Sequence, residues 1–378
     1  MANTLTNLAG DIYKAADTVG RELVGFIPSS TINAKTARVA LNDTVRSHFT
    51  RSASATNITE SMTIPQGTDQ TIDTKTMTID NARAVQIPWT GEDIQHVNNG
   101  SGYETIYGDQ IAQAMRTLTN EIEEDLWQAA YRGASRAVGT AGTTPFATTF
   151  ALVASARQII ADNGGVTNDG RLSLVLSTTA GTNLRNLAQL QKVNESGDDL
   201  MLRQGTLLNL QGCMLKESGQ ISAHTIGTGT NYQLSAAGSV NDTTVSVDTG
   251  SGTILAGDIV TITGTSDNYV VNTALTGGDI VIGSPGLQAA EDDNDGVTVG
   301  NAHTPNVLFH QSAVELAIRA PATPDGDAAT DSMMVQDPHS GLVFEIRVYK
   351  GYRKQMVEVA SAWGTKAWKP DNIAIIMG

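Results

Sequence analysis

Thr244-Val-Ser-Val-Asp248, Asp258-Ile-Val-Thr-Ile-Thr263 and Asp279-Ile-Val-Ile282 lie in a stretch, between Lys216 and Arg319, that holds no lysine or arginine. All 24 basic residues of the 378-residue chain fall at its borders or outside it. Alternating β-branched residues bounded by Gly, Asp and Asn read as short strands and turns. So abrupt a compositional border predicts one β-rich folding unit, residues 217–303, spliced into another. The length fits two or three domains. The 37 glycines and the 5% aromatic share predict abundant turns.

Outward from this segment the patterning changes to mixed helix and strand, so the fold class expected is α+β. Leu5, Leu8, Ile12, Ala16, Val19 and Leu23 recur at three- and four-residue steps, the spacing of an amphipathic helix that Gly25 and Pro28 end. From Phe49 to Trp89 the chain is polar, with isolated Ile58, Met62, Ile64, Ile72, Met77 and Ile79. Pro65-Gln-Gly-Thr-Asp-Gln70 predicts a turn between two extended arms. A lone two-stranded hairpin is marginal in water, so this one is expected to lean on another molecule. Tyr103, Tyr107, Ile111, Met115, Leu118, Ile122, Leu126 and Ala130 trace one helical face, a rod of roughly 45 Å at 1.5 Å per residue. Glu121, Glu123, Glu124 and Asp125 read as an acidic patch on its exposed side.

Further helices are expected over Phe150–Ile160, Asn183–Leu190 and Ser312–Arg319. Strands are expected over Leu172–Leu176, Val307–Phe309 and Ile373–Met377. Leu342–Tyr349 and Gln355–Ala360 should pair as a hairpin across Lys350-Gly-Tyr-Arg-Lys354.

The formal charge of −15 argues against a general nucleic-acid binder or a protein docked on an anionic membrane, both of which need clustered Lys and Arg. No apolar run approaches the roughly 20 residues that span a bilayer. No basic region followed by an apolar core opens the chain, so synthesis in a cytoplasm is expected. Cys213, the lone cysteine, excludes an internal disulfide framework and reads as a small buried hydrophobe. Glu291-Asp-Asp-Asn-Asp-Gly296 is the nearest match to a calcium loop, but Ala302 stands where the bidentate Glu belongs. The six histidines show no metal-helix spacing, and with one cysteine there is no zinc pattern. Nucleophile elbow, phosphate loop and dinucleotide fingerprint are all missing. Catalytic, cofactor-binding and metal residues are therefore expected to be none, and the chain is not expected to be an enzyme.

Three stretches together resemble the major coat proteins of tailed bacteriophages, which share the capsid fold named after the Hong Kong 97 phage. Leu172-Ser-Leu-Val-Leu-Ser177, Asn183-Leu-Arg-Asn-Leu187 and Gln204-Gly-Thr-Leu-Leu-Asn-Leu-Gln-Gly212, leading into Met214-Leu-Lys-Glu-Ser218, look like that family's axial domain. Asn306-Val-Leu-Phe-His-Gln-Ser-Ala313 running into Glu315-Leu-Ala-Ile-Arg319 is the second. The terminal hairpin with Ala362-Trp-Gly364 and Trp368-Lys-Pro370 is the third. The order of parts is similar to the short-tailed Salmonella phage type, whose coat protein carries an extra β domain, here a small β-barrel-like unit. By this resemblance, residues 1–48 would be an N-terminal arm and 49–91 an extended loop. Residues 92–135 plus 341–378 would form the peripheral domain with its spine helix. Residues 136–216 plus 304–340 would form the axial domain, and 217–303 the inserted domain.

The same resemblance implies the function of a major capsid protein, self-assembling into hexamers and pentamers of an icosahedral shell around double-stranded DNA. It implies a scaffolding protein and a portal as partners, a decoration protein as a further one, and a virion location after assembly in the host cytoplasm. An acidic shell would enclose DNA without binding it specifically. Some members crosslink a lysine on the extended loop; Lys75 lies on the right arm, but no partner asparagine is identifiable and no crosslink is expected. Arg347, Lys350, Arg353 and Lys354 on the hairpin are expected to meet Glu60, Asp69 and Asp73 of a neighbour's loop. The alternative weighed is an extracellular adhesin or sugar-binding protein with a β module.

Overall fold

The computed structural model describes residues 22–34, 38–49, 55, 57–64, 73–98, 103–192 and 209–378. Most of the helix expected from Leu5 to Leu23, and the turn at 65–70, lie outside them; residues 22–24, at the expected helix end, are not helical. In chain order the first strands are β1 (Thr31–Ala34), β2 (Thr44–Phe49), β3 (Asp73–Thr78) and β4 (Asn81–Thr90), then helices α1 (Gly91–Asn98) and α2 (Tyr103–Arg132). There follow β5 (Arg136–Val138), α3 (Ala151–Asp162), β6 (Leu172–Ser177), α4 (Thr178–Asn186), α5 (Ala188–Gln191) and β7 (Met214–Ser218). Next come β8 (Tyr232–Leu234), β9 (Thr244–Asp248), β10 (Ile259–Ile262), β11 (Asn268–Thr276), β12 (Asp279–Ile282) and β13 (Gly296–Val299). The chain closes with β14 (Pro305–His310), β15 (Val314–Arg319), β16 (Ala329–Gln336), β17 (Val343–Gly351), β18 (Lys354–Ala367) and β19 (Ile373–Met377).

The long helix α2 covers the residues its periodicity predicts. Its apolar stripe packs on β18, β4, β14, β15 and β19. Met115, Leu118, Ile122 and Leu126 enter the largest core with Phe309, Phe344 and Trp363. A second core gathers α3, α4 and β6, including Val153, Ile160, Leu174 and Leu184. Cys213 is buried there, and burial pushes its thiol up to about 11.

Two large sheets organise the molecule. One has six strands in the order β1-β15-β18-β17-β16, with β4 also pairing β18. The other has eleven, β10-β13-β8-β9-β12-β11-β5-β19-β14-β6-β7. In the latter, β10 also pairs β11, so β10, β13, β8, β9, β12 and β11 close into an antiparallel ring. This barrel has its own core, with Tyr232, Val247, Ile262, Tyr269 and Ile280. It is stitched to its surroundings, because β11 pairs β5 at Asn268↔Ala137 and Tyr269↔Arg136.

The structure corrects two expectations. Ser312–Arg319 is not a helix: a single tight turn, Gln311–Ala313, leads into strand β15. Val314, Leu316 and Ile318 face the main core while Ala317 faces a smaller one on the other side. Between them Glu315 accepts from Trp368 Nε1 (2.7 Å) and Asn33 (3.0 Å), so a charged residue is buried at no loss of hydrogen bonds. The sheets also cut across the expected domain limits. β19 pairs with β14 and β5, in the sheet expected to be axial, while β15 pairs with β18, in the sheet expected to be peripheral.

Candidate functional site

Among the described residues β2 and β3 pair only with each other, in register from Thr44↔Thr78 to Phe49↔Asp73. The base of this arm is anchored. Met77 and Ile79 are buried against Ala317, Ala362 and Trp368, and the Ile79 backbone bonds both ways with Asn42 and Asp43. Gly364 permits the close approach, since a Cβ there would lie 2.2 Å from the Thr78 carbonyl oxygen. Lys75 Nζ donates to the Trp368 carbonyl (2.9 Å) and sits 5.9 Å from that ring's centre.

Farther along, residues 57–64 are all exposed. Ile58, Met62 and Ile64 are 100%, 106% and 91% exposed. Burying a side chain of this kind is worth about 1.5–3 kcal/mol. An anchored base thus presents apolar side chains that no described residue covers.

The charged residues expected to meet across subunits divide into two sets. Arg347 is buried and forms an ion pair with Asp327, its guanidinium 5.5 Å from the Tyr349 ring centre. Lys75 is engaged at the arm base, as above. Lys350, Arg353 and Lys354 are exposed at the tip of the β17–β18 hairpin, beside Tyr352 at 90% exposure. Glu60 is exposed, Asp73 opens β3, and Asp69 lies outside the described residues. Among the described residues no ion pair joins Glu60 to the hairpin tip.

The acidic patch expected on α2 is mostly not one. Glu123 is fully buried, and its carboxylate accepts from the backbone N–H groups of Gly25 (2.6 Å), Phe26 (2.8 Å) and Ile27 (3.0 Å). Burial raises its pKa, opposed by these same bonds. Phe26 then stacks on Phe309 with ring centres 5.7 Å apart. Asp125 accepts from Trp363 Nε1 (2.7 Å) and Asn81 (2.9 Å), and its pKa is also raised by burial. Glu121 is half-buried and meets Arg83 at 3.4 Å; Glu124 alone is exposed.

A polar cluster that no local sequence signal announced lies where the barrel meets α2. Asp258, fully buried, accepts from Leu255 N–H (2.7 Å), Gly227 N–H (3.1 Å) and His224 Nε2 (2.9 Å). Because a carboxylate only accepts, His224 Nε2 carries a proton, and Nδ1 lies 3.1 Å from the Tyr131 hydroxyl. Burial keeps that phenol protonated, and its oxygen accepts from Arg132 Nε at 3.2 Å. Its members are scattered over the sequence from α2 to β10, so no short motif could reveal them. The run Glu291–Gly296 is a tight turn in which Asp292 N–H donates to Asp295 at 2.8 Å, and no set of three metal-ligating side chains occurs among the described residues.

No protein-family model and no curated protein sequence match the chain. Solved structures do. A chain from Mycobacterium phage Che8 superposes with a TM-score of 0.50 at 14% identity, covering 100% of this chain and 98% of its own. The capsid of the cyanophage P-SCSP1u is similar at 0.49 and 13%, over 99% and 92%. The capsid of Ralstonia phage GP4 is similar at 0.47 and 10%, over 100% and 98%. At such identity what is shared with the Che8 chain is the fold, and it is shared along the whole length of both.

Proposed function

We propose that this chain is a major capsid protein of a tailed bacteriophage, one subunit of a shell that encloses the DNA genome. The observation that carries the reading is the arm of β2 and β3, fixed at its base and bare at Ile58, Met62 and Ile64. No described residue covers its apolar side chains, and a closed shell of identical copies supplies a neighbour to every arm. The full-length fold likeness to a phage chain supports the same reading. It also disfavours an adhesin, for which a phage-like fold over the whole chain has no explanation.

In this reading the parts follow the Hong Kong 97 plan. The extended arm reaches a neighbour, α2 is the spine, and the barrel of residues 217–303 is an inserted domain as in the short-tailed Salmonella type. Copies gather as hexamers and pentamers in the host cytoplasm with the help of a scaffolding protein and a portal, and a decoration protein is a further partner. The chain acts by architecture and not by turnover, so it is not an enzyme. Lys350, Arg353 and Lys354 meet Glu60, Asp69 and Asp73 of a neighbour; Arg347 and Lys75, committed within the chain, leave that set.

Electron microscopy of the overexpressed protein tests the function. Closed shells, tubes or sheets are expected. A monodisperse monomer under all assembly conditions would overturn the assignment.

A further inference from the structure

The barrel is joined to the rest of the molecule by two chain crossings, and each carries a buried histidine. His224 lies on the way in, after β7, and His303 on the way out, before β14. The two crossings are tied to each other, since His224 N–H donates to the His303 carbonyl at 2.8 Å and the rings lie 5.4 Å apart. His224 is in turn locked between Asp258 of the barrel and Tyr131 of α2. Gly257, at φ +98°, makes the fit possible: a Cβ there would fall 2.4 Å from the Tyr131 ring and 3.1 Å from the His224 ring.

The second imidazole is poorly provided for. His303 Nδ1 faces the Asn301 carbonyl at 3.3 Å, while its Nε2 is buried with no hydrogen-bond partner. A neutral ring leaves only a lone pair unpaired; a protonated one would bury an N–H with no acceptor. The charged and titratable groups around it are His224 and Asp258, with Tyr131 and Arg132 beyond them on α2. Asp258 already accepts from three donors. A cleft of about 440 Å³, lined by Trp127, Tyr131, Arg132, His224, Thr225 and Leu255 among others, opens beside His224.

We propose that these two crossings form a proton-operated joint. With the His303 imidazole neutral the barrel is latched to Tyr131 on α2, and protonation of His303 opens the latch. The β11–β5 pairing and the Arg136–Asp267 ion pair (3.0 Å) stay in place and act as the hinge. The barrel keeps its own core throughout.

The sign follows from the burial that holds His303 down to about 4, against 6.5 for a free imidazole. The latch is at full strength above pH 6.5 and weakens as pH falls toward 4. Between pH 8 and pH 5 the opening equilibrium should grow about thirtyfold, the proton-linkage ratio for those two values.

Amide exchange of the full-length chain, measured by mass spectrometry on residues 221–226 and 301–304 and divided by the intrinsic rate at each pH, reads this directly. The wild type should show the thirtyfold rise and His303→Leu should show none. No rise in the wild type, or the same rise in His303→Leu, overturns the joint. If His303→Leu does not fold, Tyr131→Phe replaces it: exchange of both crossings should increase at pH 8, and unchanged exchange rejects the latch.

Discussion

Glu123 shows how one side chain can fix the path of a chain. Three consecutive backbone N–H groups, those of Gly25, Phe26 and Ile27, converge on its carboxylate inside the protein. Without the acceptor they would be buried and unpaired, each at about 1–3 kcal/mol. Replacing Glu123 by Ala should therefore cost on the order of 3 kcal/mol in urea unfolding, with Phe26 released from Phe309. A change below about 0.5 kcal/mol, the range of ordinary surface substitutions, would show that the clamp carries no weight. In the sequence this residue reads as one of four acids on a wet face. What hid it is the width of the buried arc on α2: Thr119 and Glu123 are as buried as Leu118 and Ile122 beside them. A single apolar stripe cannot reveal a second, polar stripe that serves a distant segment.

At the scale of elements, periodicity was readable where it ran long. Thirty residues of α2 follow their 3.6-residue spacing to the ends. The β17–β18 hairpin and β19 are also where their apolar runs predict. Six residues of β15 were misread, because Val-Glu-Leu-Ala-Ile-Arg alternates with a period of two yet is too short to exclude a helix. Which sheet β19 joins was not legible at all, since pairing over long separations leaves no local trace. The arm and the hairpin tip make a prediction at this scale. Asp73→Lys should lower particle yield at low salt, and adding Lys354→Asp should restore it. Each such exposed contact is worth only about 0.2–1 kcal/mol, so the effect should vanish near 1 M salt, where charges are screened within about 3 Å. Equal yield at every salt concentration removes the contact.

For the whole molecule, the missing lysines and arginines between 216 and 319 marked the position of a barrel with its own core. Composition did not disclose that the barrel continues the host's sheet through β11 and β5, nor that its two crossings hold paired histidines. The exposed isoleucines and methionine of residues 57–64 are legible as residues without a core, and no described residue covers them in the fold. The central claim is that sister copies cover them. Sedimentation velocity of the full-length wild type beside the triple variant Ile58→Ser, Met62→Ser, Ile64→Ser tests this most directly. The account predicts large oligomers for the wild type and monomers for the variant, with matching circular dichroism spectra. A wild type that sediments as a lone subunit, or a variant that assembles just as well, would contradict it.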